Sequence, residues 1–183
     1  MKVIVWASLL LLVQEKETKI RFGLQHDTGA KDGIGARKLN PEEERAFEKE
    51  LRVLPACKEA VVKGSAATVT LNPGSTLKFT EIKAAGKRVP TPDGGFNQVI
   101  FNTLKLEGRV TLTLNVEKNR EKVKDALKAA GAAEVTEEGD GWTCVFKTPE
   151  DTIGLVKTIS AKCGIEYRIF EILKDITWHS KGP

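Results

Sequence analysis

The chain has 183 residues, 40% hydrophobic and 30% charged, with a formal net charge of +4. That size suits one large domain or two small ones, and the balance is that of a globular protein. The mild positive charge tolerates a polyanionic partner without requiring one, and an aromatic content of 6% argues against a base-stacking nucleic-acid surface of the common type.

Cys57, Cys144 and Cys163 are far apart and form no CxxC pair. This excludes the spacing of a zinc site and of a disulfide framework, and points to reduced thiols in an intracellular compartment, cytoplasm or mitochondrial matrix. Near the N-terminus, "VIVWASLLLLV" (3–13) is too short for a spanning helix, which needs about 20 apolar residues. The charged "QEKETK" that follows is not a small-x-small cleavage site, so a buried strand or short core helix is expected there.

"TKIRFG" continues as a second strand, and residues 23–40 form a glycine-rich loop with Lys31, Arg37 and Lys38. Residues 40–63 are expected to be helical. Asn40 is the cap, Pro41 the first helical residue, Glu42 to Glu44 complement the dipole, and Phe47, Leu51 and Leu54 form one apolar stripe. Pro55 kinks or ends this helix. "ATVTLNPGSTLKFTEI" is expected to be a hairpin with Pro73-Gly74 in a type II turn. Residues 83–95, with Lys83, Lys87 and Arg88, read as a second basic loop.

From Gly108 the pattern is clearer. Val110, Leu112, Leu114 and Val116 alternate as in a strand with one buried face. Asn119 caps a helix bearing Val123, Ala126, Leu127 and Ala130, and Gly131 stops it. A hairpin turns at Glu138-Gly139-Asp140-Gly141, and Trp142, Cys144 and Phe146 share one face of its second strand. Thr148-Pro149-Glu150-Asp151 has the composition of a helix start; Val156, Ile159 and Cys163 share that helix's face, Gly164 ends it, and "IEYRIFEIL" closes as a strand. The expected class is therefore α+β: a C-terminal ferredoxin-like βαββαβ module with an antiparallel sheet over 107–183, preceded by a β-rich region with one helix over 1–106.

The segment "EKVKDALKAAGAAEVTEEGDGWTCVFKTPEDTIGLVKTIS" resembles the third domain of YebC-like proteins, which include the mitochondrial translational activator of cytochrome oxidase. The resemblance rests on Ala126, Leu127, Ala130, Gly131, Ala132, Val135, Asp140, Gly141, Thr148, Pro149, Glu150 and Asp151, and covers about residues 100–173. It implies a non-enzymatic module connected with translation. The family's basic N-terminal helical domain has no counterpart in the sequence, so the resemblance brings no binding residues with it.

His26 and His179 lie at opposite ends of the sequence, and no HExxH, GxSxG or P-loop occurs. The hairpin acids Glu134, Glu137, Glu138 and Asp140 sit on a solvated turn. "TGAKDGIGARK" lacks the GxGxxG order of a dinucleotide site. The expected protein is accordingly no enzyme, with no cofactor or metal, no small-molecule substrate and no membrane span. It contacts ribosome or RNA through Lys31, Arg37, Lys38, Lys83, Lys87 and Arg88, cations suited to a phosphate backbone. The alternative is a structural subunit of a larger protein assembly, organellar or otherwise, with no nucleic-acid contact.

Overall fold

In the computed structural model the residues described are 17–27, 36–90 and 96–182. The apolar stretch 3–13 and Lys31 lie outside them. The protein is a mixed α+β structure built on an antiparallel sheet. Strands β1 (Lys19–Asp27), β3 (Cys57–Lys63), β4 (Ala66–Leu71), β6 (Phe96–Leu114), β7 (Ala132–Glu138) and β8 (Gly141–Asp151) lie in the order β3-β4-β1-β6-β8-β7. Short β2 (Ala36–Arg37) pairs with β1; β9 (Leu173–His179) pairs with β6 and with β5 (Thr76–Lys78).

β6 organises this sheet. Its first half pairs with β1 and its second half with β8 and β9. It runs through residue 106, where the sequence suggests a boundary between two units. The helices are α1 (Pro41–Arg52), α2 (Phe79–Lys87), α3 (Val123–Ala129), α4 (Thr152–Cys163) and the single turn α5 (Ile169–Ile172). One face of the sheet is apolar: Ile20, Phe22, Ala60, Val69, Val110, Leu112, Trp142, Cys144, Phe146, Ile176 and Trp178 are all buried there and belong to one core with the helices. Phe22 meets Phe47 of α1 edge-on at 6.4 Å, and Phe79 of α2 meets Trp178 at 6.5 Å.

The alternation read from "RVTLTL" and "GWTCVF" is realised: Val110, Cys144 and Trp178 stand side by side on neighbouring strands. Gly131 ends the first C-terminal helix with φ of 100°, a conformation that costs a side-chain-bearing residue energy. The capping box at α1 also forms, with Asn40 accepting from Glu42 and Glu43 and Glu43 reaching back.

Several expectations are corrected. Helix α1 stops at Arg52, and Cys57–Lys63 is an edge strand. Pro73-Gly74 does not close a hairpin: β4 pairs with β1 and β3, whereas β5 pairs with β9, about 100 residues away in sequence. Residues 79–87 are helix, so Lys83 and Lys87 are not loop residues. Thr148, Pro149 and Glu150 remain in β8, where Glu150 pairs with Leu106, and the cap of α4 is Asp151, whose carboxylate accepts from Ile153 N–H at 2.8 Å. Asn119 adopts a left-handed conformation before a short 3-10 turn and sends its amide to the Cys163 carbonyl at 2.8 Å instead of capping. The segment 165–172 is a connection and α5, and strand pairing starts at Leu173.

Candidate nucleic-acid interface

Of the basic residues singled out in the sequence, two are committed to intramolecular pairs. Arg37, on β2, forks onto Glu43 with Nη1 donating to Oε2 at 2.7 Å and Nη2 to Oε1 at 2.6 Å. Glu43 is only 2% exposed and also accepts the Asn40 N–H at 2.9 Å. A carboxylate withdrawn from water this far needs its charge matched, and the planar guanidinium does so with two parallel bonds. Arg88, following α2, donates Nε to Glu50 of α1 at 2.5 Å and clips the two helices together. The carboxylates that hold Arg37 and Arg88 are two turns apart on α1, about 10 Å along its axis.

The other candidates among the described residues are open. Lys38 is exposed, and Lys83 and Lys87 are exposed one turn apart on α2. Lys83 has its ammonium 5.8 Å from the Phe79 ring centroid. Two residues that the sequence reading missed join them: Arg45 and Lys49 stand one turn apart on the exposed side of α1. None of these five cations forms an ion pair among the described residues.

The acids of the same layer behave differently. Glu43 is matched by Arg37, Glu48 by Arg52 at 2.7 Å and Glu50 by Arg88. Glu44 accepts from Ser65 N–H at 3.0 Å and Glu81 from Lys78 N–H at 2.7 Å. The sequence of α1 is acidic on balance, with Glu42, Glu43, Glu44, Glu48 and Glu50 against Arg45, Lys49 and Arg52. Folding turns most of its carboxylates inward onto arginines and backbone amides and leaves the cations outward. Lysine and arginine at i and i+4 signal an exposed helix row, so Arg45 and Lys49 were within reach of periodicity.

The other face of the sheet is polar. Thr177, Thr111, Thr143 and Thr136 stand in register across β9, β6, β8 and β7. Hydrogen bonds link this rank: His179 Nε2 lies 2.8 Å from Thr111 Oγ1, Thr111 Oγ1 lies 2.9 Å from Thr143 Oγ1, and Thr143 donates to Glu138 Oε2 at 3.3 Å. Burial and the Arg109 charge push the His179 imidazole below its ordinary pKa, opposed by Glu138.

The remaining chemical candidates are structural. Cys144 is fully buried, and burial pushes its thiol up to about 12, so it stays protonated and unreactive at neutral pH. Burial also raises Cys163 and Cys57. Glu137 is held by Arg120 at 2.7 Å, and Arg120 also lies over the Trp142 ring at 5.5 Å. Among the described residues, no group of three or more His, Cys, Asp and Glu side chains is arranged to hold a metal ion, and no helix is long and apolar enough to cross a membrane. The side chain of His26 is outside those described.

No protein-family model matches this sequence, and neither a curated protein nor a solved structure matches it.

Proposed function

We propose that this protein is a non-catalytic, RNA-binding accessory of translation, and that the outer surface of α1 and α2 is its RNA-facing side. The observation that carries the reading is the separation of charge in that layer. Lys38, Arg45, Lys49, Lys83 and Lys87 face solvent without ion pairs among the described residues, while Glu43, Glu48 and Glu50 are each neutralised by an arginine. Unpaired cations on a firm helical surface suit a phosphate backbone, and the scarcity of exposed aromatic side chains suits contacts that do not read bases.

The finer fold reading belongs with this proposal. In this reading residues 107–183 are a ferredoxin-like module, and about residues 100–173 are similar to the third domain of YebC-like proteins. What supports it is the element order β6-α3-β7-β8-α4-β9 and the strand order β7-β8-β6-β9, antiparallel throughout. The fold alone does not specify an activity, so the charge pattern bears the functional weight.

The test is RNA and ribosome association of a variant with Lys38, Lys83 and Lys87 changed to Glu, measured across a salt series. The wild-type affinity should fall steeply with salt, and the variant should bind more weakly with a log–log salt slope flatter by about one per lost phosphate contact. Arg37 and Arg88 are kept, because changing them disturbs folding. A folded variant that retains both affinity and slope would refute the proposal, as would native extract in which only protein co-purifies.

A further inference from the structure

Arg109 stands on the polar face of the sheet, away from the α1–α2 layer, and is exposed. It forms no ion pair among the described residues. Its neighbour in register on β9 is His179, and the next position across is Thr76 of β5. Exposed Lys181 follows His179 at i+2, and exposed Lys147 follows Val145, the register partner of Arg109 on β8.

The hydroxyl chain fixes how His179 is used. Glu138, as a carboxylate, only accepts, so Thr143 donates to it. Thr143 must then accept from Thr111, and Thr111, its one proton spent, accepts from His179 Nε2–H. The ring is thereby held with its proton on Nε2. Nδ1 has no hydrogen-bond partner among the described residues. An imidazole anchored on one nitrogen, beside an unpaired guanidinium, offers a second N–H when a negative charge arrives.

We propose that Arg109 and His179 form a binding site for a phosphoryl anion on the polar face of the sheet. The guanidinium supplies two parallel donors and the protonated imidazole a third through Nδ1. The site lies on the opposite side of the sheet from the cations of α1 and α2, so it stands or falls separately from the RNA reading of that layer.

Binding should strengthen as pH falls through the imidazole range, since the anion favours the protonated ring. Burial and Arg109 on β6 lower the imidazole's pKa and Glu138 on the β7–β8 hairpin raises it; the other charged residues at this face are Glu107 on β6, Lys147 on β8, Lys78 on β5, Asp175 on β9 and Lys181 just after β9. Glu107 is turned to Arg21 at 3.6 Å, and Asp175 accepts from Thr80 at the start of α2, from its N–H at 3.2 Å and its hydroxyl at 3.0 Å.

The experiment follows the His179 ring resonances by NMR while inorganic phosphate is added to the full chain at several pH values. A saturable shift and a rise in the imidazole pKa are expected. Arg109→Gln should weaken phosphate binding about tenfold or more, the usual scale for losing a charged hydrogen-bonding partner. Lys162→Gln, an exposed change on α4, should leave it unaltered. Should Arg109→Gln fail to fold, Arg109→Lys, which keeps the charge and loses the fork, is expected to bind phosphate more weakly than wild type. An oligoribonucleotide that competes for the same shift identifies the anion as a phosphodiester backbone, and one that does not compete identifies a free phosphate or monoester. No saturable shift with phosphate, or equal affinity in the folded Arg109 variant, overturns the proposal.

Discussion

The two faces of the sheet obey different rules, although they alternate residue by residue along the same strands. On β8, Trp142, Cys144 and Phe146 are buried under helices, while Thr143 and Val145 between them look the other way. On β6, Val110 and Leu112 are fully buried, while Arg109 and Thr111 are not. The covered face is held by apolar packing, which tolerates loss of volume poorly. The polar face is held by hydroxyl chains and cross-strand pairs worth about 0.2–1 kcal/mol each. The difference teaches where function has room: changes on the polar face cost the fold little, so charged side chains can stand there for a partner.

The largest contrast should come from adjacent residues of β8. Phe146→Ala should destabilise by about 3–5 kcal/mol, because it removes a fully buried ring from the core. Val145→Ala, one position away on the other face and half-buried, should stay below about 1 kcal/mol. Denaturant midpoints measured side by side check both, and similar losses would mean that the polar face is covered after all.

Cys144→Ala sits between these extremes. It removes one buried sulfur and should cost roughly 1–3 kcal/mol while leaving any binding activity intact. A folded Cys144→Ala protein that has lost binding would give this thiol a role beyond packing.

The smallest effect belongs to His179. Its pKa is lowered in the folded protein, so the unfolded chain takes up more protons as pH falls through the range near 6.5. Stability should therefore be full above that range and decline below it as the unfolded imidazole protonates. His179→Gln should flatten this part of the stability–pH curve. An unchanged slope in thermal melts between about pH 5 and 7 would show that the ring titrates alike in both states.

The sequence was most readable where a local rule and the tertiary environment agree. The stripe of Phe47 and Leu51, the capping box at Asn40, the alternation through Cys144 and the left-handed Gly131 each depend on near neighbours in the chain. Reading was poorest where a distant strand competed with a local signal. Thr148-Pro149-Glu150 has a helix-start composition, yet pairing of Glu150 with Leu106 keeps it extended until Asp151. Asn119 has a capping side chain, but the Cys163 carbonyl takes its amide.

The candidate interface divides in the same way. Basic residues are visible in any sequence, but whether a cation is free depends on which carboxylate folding delivers to it. Arg37 was lost to the buried Glu43 and Arg88 to Glu50, while Arg45 and Lys49, embedded in a glutamate-rich helix, proved to be open. The amino-acid sequence by itself determined the mixed α+β class, the antiparallel alternation and the apolar face, because hydrophobic period and turn chemistry are local. Only the tertiary structure decided that β5 pairs with β9, that β6 serves two groups of strands, and which charges remain for a partner. Those choices compare interactions between residues far apart in the chain, and no local pattern records their relative free energies.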